Sequence, residues 1–262
     1  MNLSQITNLL GWQVPLAGAL VFVPLERLLP LHRQRILRSG WKTDAVYLFI
    51  NSLLFRFSFA LVAAVLISIA GSRAFSWSAA FLSKQSLWLQ TIEAVVVGDF
   101  CLYWAHRALH MNKTLWRFHA IHHAVEELDW AAAYHSHFID EMILYGAAFG
   151  SVALLGFSPI AIAIYIAIYN WVSFIVHANA KVTIGPLRRI ISSPEFHRWH
   201  HSNEQDARDR NFAGIISFWD FAFGTAFLPK GRIPEVYGTD GSMPATYIDQ
   251  LFYPFRRNGQ AG

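Results

Sequence analysis

Five apolar stretches limit what this chain can become. They run from Gly11 to Leu25, Ala45 to Ala70, Leu87 to Ala105, Met142 to Gly156 and Pro159 to Val176. Crossing the hydrocarbon core of a bilayer takes about 20 mostly apolar residues in a helix, and the second and third stretches reach that length. With 54% of 262 residues hydrophobic and 15% charged, the chain is too apolar for an ordinary soluble domain. The expectation is an all-α integral membrane protein with four to five membrane helices. The last two stretches are short and meet at the turn-like GFSP, Gly156 to Pro159, so they read as a helical hairpin over 142–176 that need not cross fully.

Charge placement sets the expected orientation. Arg33, Arg35, Arg38 and Lys42 follow the first stretch, whereas only Arg73 and Lys84 follow the second. Lys and Arg collect in cytoplasmic loops, which makes this a multi-pass chain with residues from His106 onward delivered to the cytoplasmic face. The net charge of +4 is explained by that bias and gives no reason to invoke nucleic acid. The N-terminal stretch lacks the basic start of a secretory signal and reads as a retained span. One domain is expected: N-terminal membrane helices over 1–97, a histidine-rich region over 98–228, and a tail over 229–262 with little chemistry. Arg56, deep in the second stretch, is expected to pair with Asp99 in the third, since intramembrane charges find partners.

The single cysteine, Cys101, excludes internal disulfides and thiolate metal clusters, so any metal relies on His, Asp or Glu. Histidine is concentrated accordingly. His106 and His110 lie in HRALH, His119, His122 and His123 in HAIHH, and His197, His200 and His201 in HRWHH. Residues i and i+4 of a helix differ by roughly 40°, and the HxxHH triplet fills a wedge of about 100° with its adjacent pair splayed. Such a wedge can serve two metals. Neutral imidazole is the commonest ligand of Zn, Cu and Fe, and eight exceed the capacity of one ion, so two ions with four ligands each is the natural count. His177 or His137 could complete one set; His135 is a weaker candidate, and His32 reads as a loop residue. Metal-bound histidines present their other nitrogen to an acceptor behind them. Asp99, two turns before His106, is the first choice for that role, and Asp140 and Glu141 are either further acceptors or solvated charges at a helix start. Pro194 is placed to open the helix carrying HRWHH.

The segments DFCLYWAHRALH from Asp99, LWRFHAIHHAVEELDW from Leu115, SPEFHRWHHS from Ser193 and NFAGIISFWDFAFGT from Asn211 together resemble the sterol desaturase and fatty acid hydroxylase superfamily. The resemblance runs from about Gly98 to Thr225. It implies an integral membrane enzyme that holds two irons in histidine boxes on the cytoplasmic side and uses O2 to hydroxylate or desaturate a lipid. Matched by position, the boxes are the eight histidines above, and His177 matches a further histidine of the family. The chain departs after the second box. Where members often show LNW and RxHPxE, it has Leu128, Asp129 and Trp130, then His135, Ser136, His137, Phe138, Ile139 and Asp140, which bears on substrate choice more than on metal.

The chain shows no dinucleotide-binding glycine fingerprint and no haem or iron-sulfur motif. Electrons are therefore expected from an external reductant, a separate ferredoxin- or cytochrome-type protein docking on Arg188, Arg189, Arg208 and Arg210. Positive-inside bias explains the same arginines. Two other classes stay open: a membrane metal or haem carrier without catalysis, and a zinc-dependent lipid hydrolase.

Overall fold

The computed structural model describes residues 13–54 and 76–256. Among them there is no β-strand, only isolated antiparallel bridges joining Pro30 to Ala180 and Ser202 to Tyr237. Ten helices carry the fold: α1 (Gln13–Leu28), α2 (41–54), α3 (Ser76–Leu82), α4 (Leu87–Met111), α5 (Lys113–His123), α6 (Phe138–Tyr145), α7 (Pro159–His177), α8 (Pro194–His200), α9 (Phe218–Ala222) and α10 (Tyr247–Phe252). Beyond Tyr145, α6 continues through a π turn, Gly146–Gly150, and a last α turn, Ser151–Leu154.

Local chemistry sets the boundaries that matter for the site. Asn112 ends α4 and begins α5, its side chain accepting the backbone N–H groups of Thr114 and Leu115. Capping by one shared residue lets the chain fold back without a loop, which lays α5 against α4. Ser158 caps α7 with Pro159 in its first turn, and Ser193 caps α8 with Pro194 in the same place. Helices α4, α6 and α7 enclose the main core, in which Leu102, Phe149, Val152, Tyr165, Ile166 and Ile215 are buried.

Among the described residues one helix, α7, is long and apolar enough to cross a membrane. The expected count of four to five spans is not reached there. Helix α1 has 16 residues, and α4 is long but carries Glu93, Asp99, His106 and Arg107. The second expected span falls mostly outside the described residues, as does Arg56, so the expected pair with Asp99 cannot be placed. Asp99 itself accepts the backbone N–H groups of Ile215 and Ile216 at 2.7 and 2.8 Å.

Arg38, one of the basic residues that set the expected orientation, is 4% exposed and bridges Asp44 and Asp129, while Asp44 also meets His135 at 2.6 Å. Glu26, at the end of α1, accepts the N–H groups of Trp130 and Asn179. The N-terminal elements thus clamp the segments that follow HAIHH and His177. The tail also takes part, because Tyr237 buries its hydroxyl against Arg198.

Candidate metal centre

Four segments converge at one end of the α4–α7 core. Helix α4 brings His106 and His110, α5 brings His119, His122 and His123, α7 ends in His177, and α8 with its last turn brings His197, His200 and His201. Their ring nitrogens sort into two groups, each within 4.8 Å: His106, His110, His119, His123 and His200 in one, and His122, His177, His197 and His201 in the other. Each HxxHH motif is divided. His119 and His123, four residues apart, face the first group while His122 faces the second; His197 and His201 face the second while His200 faces the first. Sequence reasoning expected four ligands per ion, and the geometry instead places five imidazoles with four, His177 being the ninth.

The Nε2 atoms point inward and lie close together. In the first group His119 is 2.9 Å from His106 and 3.2 Å from His123, and His123 is 3.0 Å from His200. In the second, His177 lies 3.1 Å from both His197 and His201 and 3.3 Å from His122. Two nitrogens bound at about 2.0–2.1 Å to one ion fall roughly 2.9 Å apart at a right angle and roughly 3.4 Å apart at the tetrahedral angle. The observed spacings fit that window, so the donor sets suit a metal ion in each group.

For six of the nine rings the inward turn of Nε2 is fixed by hydrogen bonding at the other nitrogen, whereas the Nδ1 atoms of His197 and His201 are buried without a partner. Nδ1 donates to the carbonyl of Phe212 from His106, of Arg210 from His200, of His135 from His122 and of Ser173 from His177, at 2.7–3.1 Å. A neutral ring that donates from Nδ1 must carry its lone pair on Nε2. Burial, reinforced by the neighbouring imidazoles, holds His122, His123, His197 and His201 well below their ordinary pKa, and burial with His106 does the same for His200. Their rings are neutral at physiological pH, the form that binds metal. Two carboxylates complete the outer ring: Asp140 accepts from His119 at 3.0 Å and Asp209 from His110 at 3.1 Å. Burial would raise the Asp140 pKa, but the facing His119 ring and the hydrogen bonds from His119 and Ser136 outweigh it and leave the carboxyl below its usual range.

Not every candidate joins the centre. His137 caps α6, its Nδ1 accepting the N–H of Ile139, and its Nε2 donates to the carbonyl of Leu251; a side chain folded onto its own helix start cannot reach the other imidazoles. Asp99 does not stand behind His106 either. It fixes residues 215 and 216, and the acceptor behind His106 is the backbone carbonyl of Phe212. Asn211, in a left-handed conformation at φ 59°, shapes that loop by bonding to the backbone of Phe196 and Phe227. Sequence reasoning missed these carbonyls and Asp209, because a backbone acceptor has no residue signature and Asp209 serves His110, a histidine of a box distant from it in sequence. It also missed Arg198, fully buried and donating to the carbonyls of His177 and Ala178.

Beneath both groups lies a cavity of about 50 Å³ bordered by His106, His119, His122, His177, Leu102 and Val176, among others. That is space for a few water-sized groups.

The fold and this paired centre define a helical protein with two adjacent all-histidine clusters whose spacing suits a metal ion in each. The chain belongs to the fatty acid hydroxylase family, whose model matches residues 91–225. Among curated relatives, an ornithine lipid hydroxylase of Rhizobium tropici is 34% identical over 65% of this chain and 52% of its own length. Alkylglycerol monooxygenases of Danio rerio and Homo sapiens are each 30% identical, over 60% and 53% of this chain and 35% and 31% of theirs. The chain thus spans about half the length of the ornithine lipid hydroxylase and about a third of the two alkylglycerol monooxygenases. No solved structure matches it.

Proposed function

We propose that the chain is a membrane-bound, O2-dependent lipid hydroxylase or desaturase that holds two iron ions in its nine imidazoles. The observation that carries this reading is the division of each HxxHH motif between two adjacent all-imidazole shells set over one cavity. Five and four imidazole donors leave one and two positions of a six-coordinate ion open. A catalytic zinc site ordinarily uses three protein ligands and one open position, so the donor count favours redox iron. Bound there, the irons would supply O2 activation: one oxygen atom inserted into a C–H bond of the lipid, the other leaving as water with two electrons and two protons from an external reductant.

The chain's own residues have narrower tasks. Backbone carbonyls and Asp140 hold rings in the metal-binding tautomer; Leu102, Leu144 and Val176 supply the apolar part of the cavity wall; the end of α7 brings His177 from an apolar segment to the centre. Membrane contact is supported by α7, long and apolar enough to cross a bilayer, and by Leu20, Phe49, Trp77 and Trp88, each at least 70% exposed. Positive-inside bias assigns the histidines to the cytoplasmic face. The substrate class, by analogy with the ornithine lipid hydroxylase and the alkylglycerol monooxygenases, is a polar lipid. A separate acidic electron carrier completes the reaction. Of the four arginines expected to receive it, Arg188 pairs with Glu195 and Arg208 with Asp240, which leaves Arg189 and Arg210 as the more available contacts.

The test is lipid mass analysis of cells with and without the protein under 18O2. A lipid that gains one 18O atom only when the intact protein is present supports hydroxylation, and an unsaturated product formed only under oxygen supports desaturation. Unchanged lipids from a fully metal-loaded, reductant-supplied protein would rule the reading out.

A further inference from the structure

The two histidine groups differ in the charges behind them. Two carboxylates touch the first: Asp140, fully buried, meets His119 at 3.0 Å, and Asp209, its side chain 55% exposed, meets His110 at 3.1 Å. Solvent screens Asp209, so the negative charge that counts there is Asp140. Among the described residues no carboxylate touches a ring of the second group. His122 and His177 donate to backbone carbonyls, and the Nδ1 atoms of His197 and His201 have no partner. What lies behind this group is a cation. Arg198, fully buried, donates from Nη1 to the carbonyls of His177 and Ala178 at 3.2 and 3.0 Å. Its Nε donates to the Tyr237 hydroxyl at 3.0 Å, its guanidinium lies 4.9 Å from the centre of that ring, and its Nη2 is buried without a partner. Among the described residues no carboxylate forms an ion pair with it. A buried charge ordinarily neutralises itself or finds a counter-ion. A guanidinium cannot lose its proton, so Arg198 leaves a permanent, uncompensated positive charge at the edge of the second group. Glu141, which borders the cavity under both groups, does not offset it, because burial holds its carboxyl protonated.

We propose that Arg198 makes the second metal position the electron-poor one of the pair, while Asp140 makes the first electron-rich, so that the two positions are reduced in a fixed order. The proposal rests on the two-iron reading above and deepens it. A nearby cation disfavours a ferric ion more than a ferrous one, and a nearby carboxylate does the opposite. Of the electrons that the external reductant gives up, the first is therefore held at the second position, and the first position stays ferric longer. At an effective dielectric of about 20, a unit charge roughly 10 Å from an ion changes its ferric-to-ferrous ratio on the order of tenfold. Arg198 touches neither substrate nor ion; it acts through its field and through the His177 carbonyl.

The experiment is a spectroelectrochemical titration of the purified full chain in detergent, loaded with iron at both positions. The wild type should be reduced in two separate one-electron steps. Arg198→Gln, which removes the charge, should lower the higher-potential step by about tenfold in the ferric-to-ferrous ratio, or about 59 mV, and leave the lower step in place. Arg198→Lys, which keeps the charge, should hold the wild-type value. Asp140→Asn, which keeps an acceptor for His119 but loses the charge, should raise the lower step alone; it decides the matter if Arg198→Gln does not fold. Steps that coincide in the wild type, or that move together in the variants, overturn the proposal. So does Arg198→Lys behaving like Arg198→Gln, the result expected if Arg198 only ties the end of α7 to α8. Two separate, charge-sensitive steps without lipid oxidation would overturn the proposed function and leave this assignment standing, whereas lipid oxidation with coincident steps would do the reverse.

Discussion

His200 and His201 are consecutive residues whose rings serve different clusters, because side chains about 100° apart on a helix cannot face one point. Each HxxHH box therefore spans the two clusters, whereas HRALH serves the first alone. In the four-imidazole group the loss of one ring leaves three, so His201→Ala is expected to lose one metal equivalent per chain, measured by elemental analysis. His137→Ala should keep the full metal content and cost about 1 kcal/mol of stability, the worth of a helix cap; a metal loss equal to that of His201→Ala would restore it as a ligand. Asp140→Ala, which frees the His119 ring from its orienting carboxylate, should weaken metal affinity by about 10- to 100-fold, read by chelator competition. Acidification gives a further check on the metal-free protein. The buried rings of His122, His123, His197, His200 and His201 stay neutral in the fold, whereas unfolded histidines take up protons below pH about 6.5. The unfolded state then binds more protons, so stability present at neutral pH is lost as pH falls through that value. Melting temperatures in detergent should drop between pH 7.5 and 5.5; a flat profile would contradict the neutral cluster.

At the scale of elements, two of the helices that present the histidines were legible in the sequence: the apolar stretch from Pro159 marks α7 and Pro194 marks the start of α8, with the caps Ser158 and Ser193 added by the structure. What tethers them was not. Asp99 reads as a partner for a histidine or for Arg56 because spacing reports which face of a helix a residue shares, not which loop packs on that face; the loop at Ile215 and Ile216 takes it. The partners of Arg38, Asp44 and Asp129, are likewise brought together only by folding. Close packing of α4 on α7 depends on Gly98, where an added Cβ would run into the Tyr165 ring. Gly98→Val should therefore cost about 1–3 kcal/mol and displace α4 enough to loosen the first histidine group, seen as a lower melting temperature together with weaker metal retention. A variant as stable as the wild type would mean that the two helices have slack at this crossing.

Over the whole molecule, composition pointed to helices and to a lipid environment, and the histidine pattern pointed to two metals, because both signals are carried by residue type and local spacing. The partition into five and four required His177, which only tertiary folding delivers from the end of an apolar helix to the other boxes. The clamp made by Glu26, Arg38 and Asp44 shows that the N-terminal helices also brace the centre from outside the family's matched region. The account turns on two metal ions in one chain. Elemental analysis of the protein purified in detergent under reducing conditions tests this most directly: two irons per chain are predicted, falling to one in His201→Ala, whereas a single zinc per chain, unaffected by His201→Ala, would contradict it.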